Sequence, residues 1–164
     1  MSIREICRYP APVLREPTET IHEFDGELKK LVEDMWETMY ASDGIGLAAP
    51  QVGVPKKVIV IDYNGEKYAL VNPEIISREG SVTNEEGCLS FPGIYVNVDA
   101  PERMDVRYCD ESGEAREISV DGFLACVFSH EIDHLNGRLL IDRVSPLRRQ
   151  FMKKRLAKDA KSGD

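Results

Sequence analysis

Two histidines and a glutamate stand close together in His130-Glu131-Ile132-Asp133-His134, inside the stretch from Cys126 to Gly137. The form is H-E-x-x-H. Histidines four residues apart on a helix lie one above the other on the same face, so both imidazoles can reach a single metal ion. Glu131 projects from that side and can hydrogen-bond a water on the metal without binding the metal itself. A metal lowers the pKa of such a water from ~15.7 to about 7, and a neighbouring carboxylate can then take the proton. The spacing supplies two ligands and a general base. It requires a third ligand from elsewhere.

Two other stretches carry residue types that suit such a site. Gly44-Ile45-Gly46-Leu47-Ala48-Ala49-Pro50-Gln51-Val52-Gly53 combines small residues, glycines and one uncharged polar side chain. Glycine lets backbone approach a ligand closely. For the glycines alone, a structural turn between helix and sheet is the commoner explanation. The primary amide of Gln51 offers N–H donors without charge, which suits an oxyanion that forms only in the transition state. In Glu85-Glu86-Gly87-Cys88-Leu89-Ser90, Cys88 is the candidate third ligand, beside Gly87 for close approach and Leu89, whose N–H can face a substrate. A lone cysteine is more often a small buried apolar residue, and Cys7, Cys109 and Cys126 are assigned to that role. Cys126, one turn before His130, is a minor alternative ligand. His22 has no ligand-like spacing to anything and reads as a surface or packing residue.

The elements that must position these groups follow from periodicity. Pro10, Pro12 and Pro17 forbid a helix over residues 1–20 and predict an extended arm laid over the body. Phe24, Leu28, Leu31, Val32, Met35 and Met39 recur at helical spacing, with Asp25 as cap, and the helix ends near Gly44. Period-two β-branched runs then predict short strands at 58–61, 68–71 and 74–76, separated by Asn64-Gly65 and Asn72-Pro73 turns. A second strand group is predicted at 94–98, 104–108 and 115–120. The histidine-bearing helix starts near Asp121 and stops at Asn136-Gly137, which suits a left-handed C-terminal residue. A last helix spans about 146–158. Helices segregated from clustered antiparallel strands give an α+β fold, with antiparallel strand groups around a central metal-binding helix, an N-terminal helix and a C-terminal helix.

With 164 residues, 42% hydrophobic and 30% charged, residues 1–164 read as one globular domain. No apolar run approaches the roughly 18 residues of a membrane span, and the start lacks the layout of a secretory signal. Four cysteines without a framework spacing fit a reduced, cytoplasmic setting. The net charge of -8 is uneven. Residues 143–164, a basic C-terminal helix and tail, hold eight Lys/Arg against Asp159 and Asp164. An acidic body with a basic tail can meet a polyanion; equally, the tail can dock on the body or stay solvated.

Together, the stretches 44–51, Glu86-Gly87-Cys88-Leu89-Ser90 and 130–134 resemble the three motifs of the peptide deformylases, in the same order. The likeness extends over nearly the whole chain, including Pro12-Val13-Leu14-Arg15. It implies removal of the formyl group from the N-terminal methionine of nascent polypeptides. Carried over by position, it makes Cys88, His130 and His134 the metal ligands, with water as the fourth. Glu131 would take a proton from that water and pass one to the departing amine. The Gln51 amide, the Leu89 N–H and the metal would share the oxyanion. Gly44, Ile45, Gly46, Glu86 and Gly87 would line a cleft in which the peptide pairs like an added strand, and Ile45 and Val127 would form a pocket for the methionine side chain.

The resemblance implies Fe(2+), with Zn(2+), Ni(2+) or Co(2+) as substitutes; a Cys-His-His set alone suggests zinc. It also raises a ribosome contact through the basic helix, with no membrane and no DNA partner expected. Two positions depart from the family pattern. Ser129 stands where glutamine is expected, and Ala100 where an arginine near the substrate is expected. Two other readings use fewer of these features. A zinc endopeptidase would explain H-E-x-x-H but not Cys88 or Gln51. A purely structural metal would call for a fourth protein ligand, and none is evident near the motifs.

Overall fold

The computed structural model describes residues 2–161, and side chains as far as Lys158; the end of the basic tail, residues 162–164, lies outside the described residues. The first helix, α1, spans Gly26–Ala41 and is capped as predicted, Asp25 Oδ1 accepting from the Leu28 N–H at 3.1 Å. Next come β1 (Gly46–Ala48), a 3-10 turn (Ala49–Val52), β2 (Val58–Tyr63), β3 (Glu66–Glu79), β4 (Val82–Cys88), β5 (Phe91–Ala100), β6 (Arg103–Cys109) and β7 (Ala115–Asp121). The chain ends with α2 (Gly122–Leu135), a 3-10 turn (Leu140–Arg143) and α3 (Pro146–Lys161). The α+β expectation holds, with an N-terminal, a central and a C-terminal helix.

The strands group differently from the sequence expectation. One antiparallel sheet runs β1-β2-β3-β6-β7, and β4-β5 form a separate two-stranded ribbon. Two members of the second predicted group therefore join the first, and the third, β5, pairs instead with β4, which was not predicted. β6 and β7 extend the first sheet because β6 pairs with the far half of β3. That pairing is possible because Asn72-Pro73 is not a turn. β3 runs straight through it with register shifts between Val71 and Glu74 and between Ile75 and Ser77. Asn72 sits at φ 53, and its side chain bonds both the N–H and the C=O of Ile21, at 2.8 and 2.9 Å. A short polar side chain tolerates the left-handed region, and proline needs no ladder bond, so the pair makes a bulge. The Asn64-Gly65 turn is as expected, both residues having positive φ between β2 and β3.

The large sheet is apolar on both faces. Along β2, Val58 and Val60 pack with α1, while Ile59 and Ile61 pack with α2, the period-two alternation serving two helices at once. Ala125, Phe128, Ile132 and Leu135 of α2 fill the second face. A third cluster joins Leu14 of the N-terminal arm, Ile94, Val96 and Val98 of β5, and Met152 of α3. The arm is extended except for one 3-10 turn at Pro12–Arg15, which three prolines permit because such a turn needs few backbone donors. Thr18 Oγ1 donates to Leu135 O at 2.7 Å, and Arg15 reaches Gly137 O at 3.1 Å and Asp142 at 2.7 Å. The arm thereby fixes the C-terminal end of α2, where Gly137 takes the expected left-handed conformation, φ 71.

Candidate metal centre

Helix α2 presents His130 and His134 on one face, with Nε2 of each 3.2 Å from the other. The ribbon brings Cys88, the last residue of β4, to 3.3 Å from His134 Nε2. These three ligand atoms lie within 4.8 Å of one another, and both histidines are buried. Among the described residues, no other group of three His, Cys, Asp or Glu converges in this way. Cys126 stays outside it, its Sγ accepting from Asn84 Nδ2 at 3.1 Å, and His22 is exposed. One cysteine sulfur and two imidazole nitrogens converging on one point make a donor set for a soft or borderline divalent cation. The residues fit a metal.

The surroundings hold the ligands in place. His130 Nδ1 is 3.0 Å from Glu86 Oε1, so Nδ1–H donates to the carboxylate and Nε2 is left free to ligate. Burial opposes a proton on His130, but the adjacent Cys88 and Glu86 overcome this and hold its pKa well up. Burial, and then the charge of His130, keep His134 neutral. Glu131 is 5% exposed, and its Oε1 has no hydrogen-bond partner among the described residues. Burial pushes the Glu131 carboxyl up to about 7, with His130 pulling the other way.

Gln51 is fixed by the short turn that follows β1. Its Oε1 accepts from the Ala48 N–H at 2.9 Å, which turns the amide nitrogen toward Cys88 Sγ, 3.6 Å away, and Ser90 Oγ, 3.2 Å away. The N-terminal arm laces the two stretches together. Cys7 N–H donates to Gln51 O at 2.7 Å, Ser90 Oγ to Cys7 O at 2.6 Å, and Tyr9 N–H to Ser90 O at 2.9 Å. Gly44, Ile45, Gly46, Gly87 and Leu89 line an open cleft of about 600 Å³ that contains Cys88, His130 and Glu131. A smaller cavity of about 100 Å³ opens beside it, lined by Ile45, Gly87, Val127, Phe123, Cys126 and Glu86, among others.

Glu86 and the two positions that depart from the family pattern are placed as follows. Glu86 borders the small cavity, but its carboxylate turns to His130 and to Arg143 rather than into the cleft. Ala100 is buried at the end of β5, opposite Val82, and lines neither cavity. Ser129 is buried on α2 next to His130. Among the cleft residues that escaped the sequence reading are two large aromatic ones. Tyr95 (66% exposed) lies over Gly87, where an added Cβ would meet its ring at 2.6 Å, and Phe123 (38% exposed), which lines both cavities, packs against Tyr63 with its ring tilted 45°. Large apolar side chains left in solvent beside a cleft were the available signal.

Known proteins give the same picture. The family model described as polypeptide deformylase matches residues 3–150. A peptide deformylase of Thermodesulfovibrio yellowstonii is 49% identical over 94% of this chain and 97% of its own length. One of Acidobacterium capsulatum is 47% identical over 100% and 99%. The crystal structure of a peptide deformylase from Legionella pneumophila superposes with a TM-score of 0.94 at 43% identity, covering 98% of this chain and 96% of that one. The Ehrlichia chaffeensis enzyme, solved in complex with actinonin, also gives 0.94, at 37% identity over 97% and 98%. On these grounds the chain belongs to the peptide deformylase family, metal-dependent hydrolases that remove the N-formyl group from nascent peptides.

Proposed function

We propose that Cys88, His130 and His134 hold one divalent metal ion, that Glu131 moves the protons, and that the substrate is the formyl-methionyl end of a nascent chain. One observation carries this: a Cys-His-His donor set with both histidines buried, beside a carboxylate oxygen that has no partner among the described residues. When bound, the metal supplies Lewis acidity, lowering a water's pKa toward about 7 and polarising the formyl carbonyl. Glu131, buried with one carboxylate oxygen lacking a partner among the described residues, is placed to accept the proton of the attacking water and return one to the departing amine. The Gln51 amide and the Leu89 N–H face the charge that develops on the carbonyl oxygen. The Gly44–Gly46 segment, at the free edge of the large sheet, suits the peptide backbone as an added strand, with Gly87 opposite. The small cavity with Ile45 and Val127 suits an apolar side chain of methionine size.

Fe(2+) is the resident metal in this proposal, with Zn(2+), Ni(2+) and Co(2+) as substitutes that the same donors accept. The setting is the cytoplasm, where four free cysteines stay reduced. No described helix is long and apolar enough to cross a membrane. Arg148, Lys153, Lys154 and Arg155 are exposed on α3 and suit a ribosome contact. Deleting α3 would be a poor test of that contact, because Met152 of the same helix is 1% exposed in the third core cluster. Replacing Lys153 and Lys154 with serine should weaken ribosome association and its salt dependence while leaving turnover of a short peptide intact. Unchanged association would remove the idea.

The deciding experiment is formate release from formyl-Met-Ala-Ser by anaerobically purified protein of known metal content, beside Glu131→Ala. Rapid release with metal bound, lost in the variant that keeps its metal, supports the assignment. Release by the variant at the wild-type rate would remove Glu131 from the chemistry.

A further inference from the structure

We propose that Arg143 is a positioning residue of the metal centre, acting through Glu86 on His130; the inference rests on the metal-site assignment above. The Arg143 side chain is 5% exposed, and that of Glu86 is 7%. A guanidinium stays charged at any ordinary pH, and burying one is unfavourable unless its partners are closely arranged. Apolar residues fill such a space as well or better for stability alone. The arrangement is close here. Arg143 Nη1 donates to Glu86 Oε1 at 2.9 Å, the same oxygen that faces His130 Nδ1 at 3.0 Å. Nη2 donates to Asp99 O at 3.2 Å, and Nε lies 3.6 Å from Asp133 Oδ2. One fork thus joins β4, β5 and α2 around a carboxylate whose other task is to hold an imidazole.

The consequence for His130 is orientation. Glu86 ion-paired to a fixed guanidinium keeps one rotamer and remains an acceptor, so the Nδ1–H of His130 has a single place to go. Its Nε2 lone pair then points toward His134 and Cys88. Arg143 belongs to none of the three motifs, and its charge is part of the basic C-terminal segment. That segment therefore begins as part of the site. The 3-10 turn bearing Arg143 is itself tied down by the two-pronged Arg15–Asp142 pair, at 2.7 and 3.0 Å.

The test uses Co(2+) as the probe, titrated by its thiolate and d–d absorption into wild type, Arg143→Gln, Arg143→Lys and Arg15→Gln. Histidine 15N spectra are recorded alongside; the chain has only 3 histidines, so His130 is readily assigned. Removing a group that orients a ligand typically weakens metal affinity by ~10- to 100-fold. Arg143→Gln should lose affinity on that order and should move the His130 Nδ1–H signal. Arg143→Lys keeps the charge but not the fork and should fall between it and wild type. Arg15→Gln loosens the same turn without touching Glu86, and should lower the melting temperature with affinity unchanged. A folded Arg143→Gln with wild-type affinity and an unmoved His130 signal overturns the proposal. If that variant does not fold, Arg143→Lys decides it, and wild-type affinity there overturns it equally. Wild-type protein that binds no Co(2+) would remove the metal assignment, and this inference with it.

Discussion

A Cβ built on Gly46 would lie 2.6 Å from Oε2 of Glu131. The residue therefore has to be glycine to leave the carboxylate where it is, whatever its part in binding a peptide. Gly46→Ala should keep the metal and lower kcat by roughly 100-fold, since a displacement of about 1 Å at a reacting group is worth that much; formate release at matched metal content checks it. Gln51→Ala should lower kcat by about 100- to 1000-fold through the lost donor, and a change confined to KM would contradict that role. His130, His134, Cys88 and Gln51 were legible because each sits in a short stretch of unusual composition. The partners of Glu86 were not, because they stand 44 and 57 residues away, and no local spacing carries such a pair. Tyr95 was missed for another reason. Alternation places it on the outward face of β5, which usually means solvent, and here that face borders the cleft.

At the scale of elements, the two-stranded ribbon was the hardest to foresee. Val82-Thr83-Asn84-Glu85-Glu86-Gly87-Cys88 has little of the apolar alternation that marks a strand, because Cys88 and the Glu86 carboxylate serve the site rather than a core. The helices were plain from their apolar spacing and caps. The bulge in β3 was hidden because Asn-Pro is also a common turn pair, and only the bonds to Ile21 decide which it becomes. Those bonds make a prediction. Asn72→Ala should destabilise by about 1–3 kcal/mol, from two lost hydrogen bonds and a left-handed backbone that alanine resists. A lower urea midpoint at unchanged slope would bear this out, whereas an unshifted midpoint would mean the bulge holds itself.

Across the whole molecule, charge is arranged by use. The N-terminal arm is fastened to α1 by Asp34, which is 1% exposed and accepts from the Ser2 N–H at 2.8 Å and Arg4 Nε at 3.0 Å. Burial raises its carboxyl, but the Ser2 and Arg4 hydrogen bonds outweigh this and hold it below the usual 3.8. A carboxyl lowered on folding stabilises fully above its ordinary value, and the benefit disappears as the pH falls through the lowered one. The gap in urea midpoint between wild type and Asp34→Asn should close between about pH 6 and the acid range below the ordinary Asp value of ~3.9; a constant gap would refute it. The large sheet ends at β1, three residues long, lying within the cleft with Gly44 close enough to Leu89 that a Cβ there would meet Cδ1 at 2.9 Å. An unpaired edge ordinarily invites other sheets, and this one, at three residues, is too short to pair with much of one. What fits is a single extended strand with a loose end. If the proposed strand pairing holds, the site keeps time: a chain would be open to it before its first residues are packed away, and a protein with a folded N-terminus would have passed beyond its reach.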